Sequence, residues 1–170
     1  HSVPMIFRSF LTGNGRFPKI RVIRLEGDAA TKVDVELYRE HFEQSCLLVN
    51  GLGATETGIS RQFFMDRNTR LSGSVVPIGY GTEGMHGMVV DEAGQDVGMD
   101  AVGEIAIRSK YLAPGYWNQP DLTRAAFLPV PAGSGERIYR TGDLGRMSSS
   151  GCLEYLGRKD LGVKIRGHRV

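Results

Sequence analysis

The chain has 170 residues, of which 41% are hydrophobic and 24% are charged. This is the composition of an ordinary soluble protein, long enough to bury a core in one domain or one and a half. The sequence holds no run of about 18 apolar residues and no signal-peptide pattern, which argues against a membrane partner and favours a cytoplasmic protein. Its two cysteines lie far apart without metal spacing, so we expect reduced thiols.

Charge is distributed unevenly along the chain. The net charge is +2, yet residues 137–170 hold eight Lys and Arg residues against three Asp and Glu residues. A basic end is able to bind nucleic acid, but the excess is small and no aromatic-interleaved platform accompanies it. We therefore expect no nucleic-acid partner and, instead, a site for a small polyanion.

The first part of the chain alternates between helical and strand patterns. Pro4 opens an apolar stretch that predicts a helix, and residues 20–25 predict a strand rich in branched residues. Thr31 followed by Asp34 resembles a capping box, with Asp in place of Glu, at the start of a second helix. Residues 46–49 are an unbroken apolar strand of the kind that is buried on both faces of a parallel sheet. This order predicts an α/β layer.

A glycine-rich loop, residues 50–58, follows that apolar strand directly. Ligands of open α/β sheets bind beyond the carboxyl ends of the strands, so a ligand is expected at this loop. The dinucleotide fingerprint is absent, because Glu56 stands where its third glycine belongs. The hydroxyl of Thr55 is able to bond a phosphate oxygen, and the carboxylate of Glu56 is able to bind Mg²⁺ as a hard oxygen ligand. The alternative is a plain turn with Glu56 in the first turn of a helix.

From residue 71 the pattern changes to short strands separated by glycine-rich corners, which predicts an antiparallel β subdomain. Residues 111–117 form an aromatic-rich loop whose expected role is packing, and residues 121–127 predict a short helix. Residues 163–170 alternate as one more strand. That strand is still in progress at the last residue, so we expect a further C-terminal part.

Residues 139–144, Tyr-Arg-Thr-Gly-Asp-Leu, predict a tight turn that ends on Asp143, with Gly142 in left-handed backbone. A short strand with Tyr155 follows, and then Arg158 in a Gly-Arg-Lys-Asp sequence. A carboxylate suits the two ribose hydroxyls, a ring suits a base or sugar face, and a guanidinium suits a phosphate or ribose oxygen. Each feature alone is more often a plain turn, half-buried packing or a surface cation. Together they predict a nucleotide site.

Four ordered stretches resemble motifs of the adenylate-forming superfamily, which includes peptide-synthetase adenylation domains, acyl-CoA synthetases and beetle luciferases. Residues 50–56 resemble its Asn-x-Tyr-Gly-Pro-Thr-Glu, and residues 103–105 with 112–117 resemble its Gly-Glu-Leu and Leu-Ala-x-Gly-Tyr-Trp. Residues 139–144 match Tyr-Arg-Thr-Gly-Asp-Leu without change. Residues 157–169 resemble Gly-Arg-x-Asp-x-x-Val-Lys-Ile-Arg-Gly-x-Arg. The order and spacing cover nearly the whole chain.

The resemblance assigns a role to each polar residue of the predicted site. It implies that Asp143 binds the ribose hydroxyls, that Arg158 binds the ribose or phosphate, and that Tyr155 packs beside the nucleotide. Thr55 is implied to touch the α-phosphate, and Glu56 to ligate Mg²⁺. Thr55, Glu56 and Arg158 are therefore the expected catalytic residues.

Adenine is implied to lie along Asn50 and Gly51, with Gly27 on its other side. Leu52 stands where the family usually has the ring that stacks on adenine, and Ala54 stands where it usually has proline. Leu52 is thus expected beside the base, with weaker stacking than a ring provides.

The resemblance also implies a pocket for the acyl substrate, lined by Gly51, Ile59 and Ser60. Glu26 stands where many members of the superfamily have a small apolar residue, so no particular acid is predicted. Asp160 corresponds to the hinge about which the small C-terminal domain rotates between half-reactions.

By the same resemblance, the chain is the C-terminal part of the large N-terminal domain of an adenylate-forming enzyme, α/β first and then β. Residues 1–68 are expected to form a parallel α/β piece, and residues 69–157 a distorted antiparallel β-barrel subdomain with the ribose-binding turn. Residues 158–170 are expected to hold the hinge and the first strand of the small domain. The family's phosphate loop and catalytic lysine match nothing in the sequence, so we expect this chain alone to be inactive.

The activity implied is that of an AMP-forming ligase that uses ATP and Mg²⁺. A carboxylic acid attacks the α-phosphorus of ATP, pyrophosphate leaves, and the acyl group passes to a phosphopantetheine thiol. The thiol belongs to a carrier protein, either in the same parent chain or on a separate partner, and a peptide-synthetase adenylation domain acting on an amino acid fits best. Two alternatives stay open: an acyl- or aryl-CoA ligase with coenzyme A as acceptor, and a non-catalytic nucleotide-binding module.

Overall fold

The computed structural model describes residues 1–129, 133, 135–159, 164–165 and 168–169. The helices are α1 (Pro4–Phe10), α2 (Lys32–His41) and α3 (Pro120–Ala126). The strands are β1 (Val22–Glu26), β2 (Leu47–Ala54), β3 (Gly58–Met65), β4 (Tyr80–Gly81), β5 (His86–Val90), β6 (Val102–Ser109), β7 (Phe127–Leu128), β8 (Arg137–Met147), β9 (Leu153–Arg158), β10 (Lys164–Ile165) and β11 (His168–Arg169). In the described part of the chain, none of the helices is long and apolar enough to cross a membrane.

The first sheet has the strand order β1-β2-β3-β4, with β1 parallel to β2 and α2 between them in the chain. The predicted strand–helix–strand unit is thus confirmed. The other neighbour of β2 is the antiparallel β3, so the apolar run at residues 46–49 does not lie between two parallel strands. The chain turns back directly after β2, at residues 55–57, so the plain turn of the alternative is present, but the helix expected to begin there with Glu56 is not.

The start of α2 is held by the buried carboxylate of Asp34. The backbone N–H of Thr31 donates to Asp34 Oδ2 at 2.7 Å, which is the predicted capping arrangement with Asp in place of Glu. Arg8 at the end of α1 donates to both oxygens of the same carboxylate, at 2.8 and 2.7 Å. One fully buried side chain therefore caps α2 and joins α1 to it.

Asp34→Ala is expected to lower the free energy of unfolding by about 3 kcal/mol. The change removes a helix cap, worth about 1 kcal/mol, and one partner of a two-pronged ion pair that is buried on the Asp side. Urea unfolding followed by circular dichroism measures the difference. Glu36→Ala is the matched control, because Glu36 is an exposed carboxylate on the same helix. A loss equal to that of the control would contradict the prediction.

The second sheet is antiparallel, with the order β5-β6-β8-β7, and β9 also pairs with β8. This confirms the predicted change from α/β to antiparallel β. Strand β8 is long and pairs with β6 on one side. On its other side the partner changes along the strand: β7 pairs at Tyr139, whereas β9 pairs at Asp143. Gly142 lies between these two pairings with φ of 73°, the predicted left-handed backbone.

The prediction of a tight turn at residues 139–144 was wrong. These residues are extended and belong to β8, and the pairing with β6 shifts its register opposite Glu104. A left-handed glycine serves a bulge as well as it serves a turn, so the sequence alone did not separate the two. The consequence is that Asp143 is presented by a paired strand and not by a loop.

A buried arginine fastens the first sheet to the second. Arg61 on β3 donates to the carbonyl of Gly79 through Nε and Nη2, at 2.9 and 2.7 Å, and to the carbonyl of Gly151 at 3.0 Å. Burial lowers the pKa of the guanidinium. Gly79 is itself bridged to Leu153 on β9 by backbone hydrogen bonds. The strand that carries Tyr155 is therefore tied to the edge of the first sheet.

The boundary predicted at residue 68 is crossed by β4, which lies beyond it in the chain yet pairs with β3. The division into residues 1–68, 69–157 and 158–170 stays a prediction. At the C-terminal end, β10 and β11 pair antiparallel, so the prediction of one continuous strand over residues 163–170 was wrong. Asp160, the predicted hinge, lies outside the described residues.

Candidate functional site

A cavity of about 700 Å³ lies where the two sheets meet. Its walls come from the carboxyl ends of β1 and β2, the β2–β3 turn, β8 and β9. The predicted site residues that line it are Gly27, Asn50, Gly51, Leu52, Thr55, Glu56, Ser60, Asp143, Tyr155 and Arg158. Positions more than a hundred residues apart in the sequence thus share one concave surface, as expected of a small-molecule site.

The β8 and β9 side of the cavity is built around the paired side chains of Asp143 and Arg158. Arg158 Nη1 donates to Asp143 Oδ1 at 2.9 Å and to the carbonyl oxygen of Thr141 at 3.1 Å. Asp143 is 8% exposed, and the two residues are directly paired in the β8–β9 register. A mostly buried carboxylate with a guanidinium beside it is held in one position, able to accept hydrogen bonds from a polar ligand.

Behind this pair lies a second buried carboxylate, Glu104 on β6. Glu104 Oε2 accepts from Arg140 Nε and Nη2, at 3.0 and 2.5 Å, and Oε1 accepts from the backbone N–H of Gly142 at 3.0 Å. The bond to Gly142 holds the bulge that precedes Asp143. Glu104 belongs to the Gly-Glu-Ile stretch at residues 103–105, and its motif alone predicted no role for it. The available signal was its central place in a β strand, where a carboxylate requires a buried partner.

Tyr155 on β9 is half-buried and lines the cavity beside this pair. Burial raises the pKa of its phenol, and the charge of Asp143 raises it further. The hydroxyl therefore stays protonated through the neutral range, and the ring presents an uncharged face to the cavity.

The opposite wall of the cavity is the β2–β3 turn. Thr57 closes this turn: its Oγ1 accepts from the backbone N–H of Ala54 at 3.2 Å, and its own N–H donates to the Ala54 carbonyl at 3.1 Å. Thr55 is exposed at the tip, and Glu56 is half-buried beside it. The carboxylate of Glu56 is held by the hydroxyl of Tyr116, which donates to Oε1 at 2.6 Å. The aromatic composition of this loop predicted packing, but not the hydrogen bond from Tyr116.

The strand before the turn forms the floor of the cavity. Asn50 is 3% exposed, and its Nδ2 donates to the carbonyl of Pro77 at 2.9 Å. The Asn50 amide therefore binds the backbone of the segment between β3 and β4. Gly51 and Leu52 follow it along the floor. Gly27 also lines the cavity; it follows the end of β1, which pairs with β2 at Glu26 and Gly51, so it lies beside this floor and not across from it. Its φ of 93° is a left-handed backbone that favours glycine.

The three residues predicted to bind the acyl substrate are separated by the structure. Gly51 and Ser60 line the cavity, and Ser60 is fully buried with its hydroxyl donating to the Leu52 carbonyl at 3.0 Å. Ile59 is 36% exposed and is not among the residues that line the cavity. Ile59 and Ser60 are neighbours on one strand, so their side chains point to opposite faces.

A Mg²⁺ ion requires hard oxygen ligands. On the β2–β3 turn, the carboxylate of Glu56 offers such oxygens. Among the described residues no group of three or more His, Cys, Asp or Glu side chains is placed to hold a metal ion. Mg²⁺ is commonly held by one or two carboxylates together with substrate phosphates. The site therefore fits a Mg²⁺ that arrives with a phosphate ligand and takes one protein carboxylate.

Comparison with known proteins identifies the family. The sequence model of the family described as AMP-binding enzyme matches residues 1–117. The chain belongs to the AMP-binding enzyme family. The resemblance drawn from the four sequence motifs is thus confirmed, and so is the fold class predicted with it.

The relatives of this AMP-binding chain are peptide synthetases and their adenylation domains. Tyrocidine synthase 1 of Brevibacillus parabrevis is 36% identical over 169 residues, which are 99% of this chain and 15% of that protein. The Vibrio cholerae adenylation domain AlmE, solved with glycyl-adenosine-5'-phosphate, is similar with a TM-score of 0.79 and 28% identity, covering 99% of this chain and 32% of its own.

A further solved relative contains a carrier domain. Holo-PA1221, a peptide-synthetase protein with adenylation and PCP domains bound to a vinylsulfonamide inhibitor, has a TM-score of 0.76 and 33% identity, covering 88% of this chain and 26% of its own. The AMP-binding chain therefore spans less than a third of the length of each of these three proteins.

Proposed function

We propose that the adenylation domain containing this chain activates an amino acid with ATP, forming an aminoacyl-adenylate, and passes the acyl group to a phosphopantetheine thiol on a carrier protein. The observation that carries the proposal is the meeting of Asp143, Tyr155 and Glu56 around one cavity in a chain of the AMP-binding family. The glycyl-adenylate in AlmE and the PCP domain in PA1221 support the acid and the carrier, respectively. The cytoplasmic location stays a prediction.

In the proposed nucleotide pose, the β8–β9 side binds the sugar. The Asp143 carboxylate accepts hydrogen bonds from the two ribose hydroxyls, and Arg158 donates to a ribose or phosphate oxygen from beside it. The half-buried ring of Tyr155 covers one face of the nucleotide. Support comes from the fixed geometry of the pair, which needs little reordering when a ligand enters.

The base is proposed to lie along the floor that Asn50–Leu52 of β2 form together with Gly27, which follows the end of the paired strand β1. Gly27 and Gly51 both line the cavity, so their backbone is available to lie against the base. The amide of Asn50 holds Pro77, and its role is then to shape the wall. Gly51 and Ser60 are proposed to face the acyl substrate, whereas the exposure of Ile59 gives it no direct support there.

The transferring phosphate is proposed to lie at the β2–β3 turn. Thr55 at the tip donates its hydroxyl to a phosphate oxygen, and Glu56 holds Mg²⁺ through its carboxylate. When bound, Mg²⁺ neutralises the negative charge that develops on the phosphate oxygens. The protein itself aligns the carboxylate of the acid with the α-phosphorus and excludes water from it.

The proposal is tested with the intact adenylation domain that contains this chain. Amino-acid-dependent exchange of labelled pyrophosphate into ATP is expected for one amino acid or a small group, and transfer to a phosphopantetheine-loaded carrier is expected to follow. Exchange with transfer to free coenzyme A would point instead to a CoA ligase. Binding of AMP by calorimetry, without exchange for any acid, would contradict the ligase function and favour a binding module.

A further inference from the structure

The carboxylate of Glu56 is held by an aromatic residue sixty positions away in the sequence. Tyr116 lies in the loop before α3, and its hydroxyl donates to Glu56 Oε1 at 2.6 Å, the short distance typical of a hydrogen bond to an ionised oxygen. A carboxylate at a turn otherwise has several rotamers open to it. The bond selects one of them.

The same loop also fixes the backbone of Glu56. The backbone N–H of Ala113, three residues before Tyr116, donates to the carbonyl of Glu56 at 2.8 Å. Main chain and side chain of one residue are thus held by one loop. A contact that served packing alone would require neither hydrogen bond.

Tyr116 is itself rigidly placed. Its backbone N–H donates to Thr123 Oγ1 at 2.9 Å, and its ring meets that of Phe127 edge-on, with centroids 6.0 Å apart. Behind it, the buried Tyr139 has its pKa raised by burial, by a hydrogen bond with Tyr116 and by the charge of Glu56. Tyr116 and Tyr139 thus both contact the Glu56 carboxylate through their hydroxyls.

We propose that Tyr116 is a positioning residue, whose hydroxyl holds the Glu56 carboxylate in the orientation from which it takes up a divalent metal ion. This inference rests on the proposed function, since it assigns the geometry of the same site. Tyr116 lines the cavity and its hydroxyl is bonded to Glu56, so it acts through Glu56 and does not itself need to touch metal or nucleotide. Partners of this kind orient metal ligands generally.

The test is Tyr116→Phe in the intact adenylation domain, which removes the hydroxyl and keeps the ring against Phe127. Mn²⁺ affinity, measured by electron paramagnetic resonance in the presence of a non-hydrolysable ATP analogue, is expected to fall about tenfold. The Mg²⁺ concentration for half-maximal pyrophosphate exchange is expected to rise in parallel. Tyr111→Phe is the matched control: it lies in the same loop, is 62% exposed, and is expected to leave both values unchanged.

A cycle with Glu56→Gln separates positioning from general damage. If Tyr116 acts through Glu56, the double variant binds Mn²⁺ no more weakly than Glu56→Gln alone. A full additional loss in the double variant, or unchanged Mn²⁺ affinity in Tyr116→Phe, would overturn the positioning role while the metal role of Glu56 stood. Unchanged affinity in Glu56→Gln would overturn both. Thermal unfolding of each variant verifies that the fold is retained.

Discussion

Asp143→Asn, made in the adenylation domain that contains this chain, is expected to reduce kcat/KM for ATP at least about a hundredfold, roughly 3 kcal/mol of transition-state stabilisation. The side chain is 8% exposed and bonded to Arg158 at 2.9 Å, so its charge acts in a poorly hydrated place. Asparagine keeps the shape but replaces one accepting oxygen by a donor. If the new amide N–H₂ faces the Arg158 guanidinium, two donors face each other. The one remaining side-chain oxygen then accepts a hydrogen bond from only one ribose hydroxyl.

The substrate provides the decisive measurement for this variant. If Asp143 accepts from the ribose hydroxyls, the unchanged protein discriminates strongly against 2′-deoxy-ATP and 3′-deoxy-ATP, and Asp143→Asn loses most of that discrimination. A general defect would lower kcat/KM equally for ATP, 2′-deoxy-ATP and 3′-deoxy-ATP, and this result would count against the ribose role. Asp121→Asn is the matched control, because the Asp121 side chain is 90% exposed on α3, outside the cavity.

Gly79→Ala is expected to prevent folding, or to lower the free energy of unfolding by more than about 4 kcal/mol. Gly79 has φ of 77°, and left-handed backbone alone costs alanine about 1 kcal/mol. A Cβ here would also lie 2.2 Å from the backbone oxygen of Gln62, which cannot move aside without breaking β3. The carbonyl of Gly79 receives Arg61, so the junction between the sheets would be disturbed together with the strand.

Gly98→Ala separates the two costs in the Gly79 prediction. Gly98 has nearly the same backbone, φ of 79°, but nothing lies within 4 Å of a Cβ built there. We expect it to lose only the backbone contribution of about 1 kcal/mol. Urea unfolding measures the loss in the free energy of unfolding for each variant. Equal losses would show that the close approach of β3 to Gly79 adds nothing to the cost of Gly79→Ala.

Local patterns in the sequence were sufficient for several elements of the fold. Pro4 and Thr31 mark the starts of α1 and α2 as predicted, because first-turn chemistry depends only on neighbours within a few residues. The parallel pairing of β1 with β2 also followed from the strand–helix–strand order. The register bulge at Gly142 did not, since it arises in the pairing of β8 with β6, a strand distant in the sequence.

The amino-acid sequence by itself determined the family, through four ordered motifs. The nucleotide, metal and substrate residues that it named all line the cavity except Ile59. Only the tertiary structure decided what holds them: Arg158 on Asp143, Glu104 behind Gly142, and Tyr116 on Glu56. The physical reason is that a motif records which side chain is present. Its hydrogen-bond partner is supplied by a strand or loop up to sixty residues away, and sequence spacing carries no information on that distance.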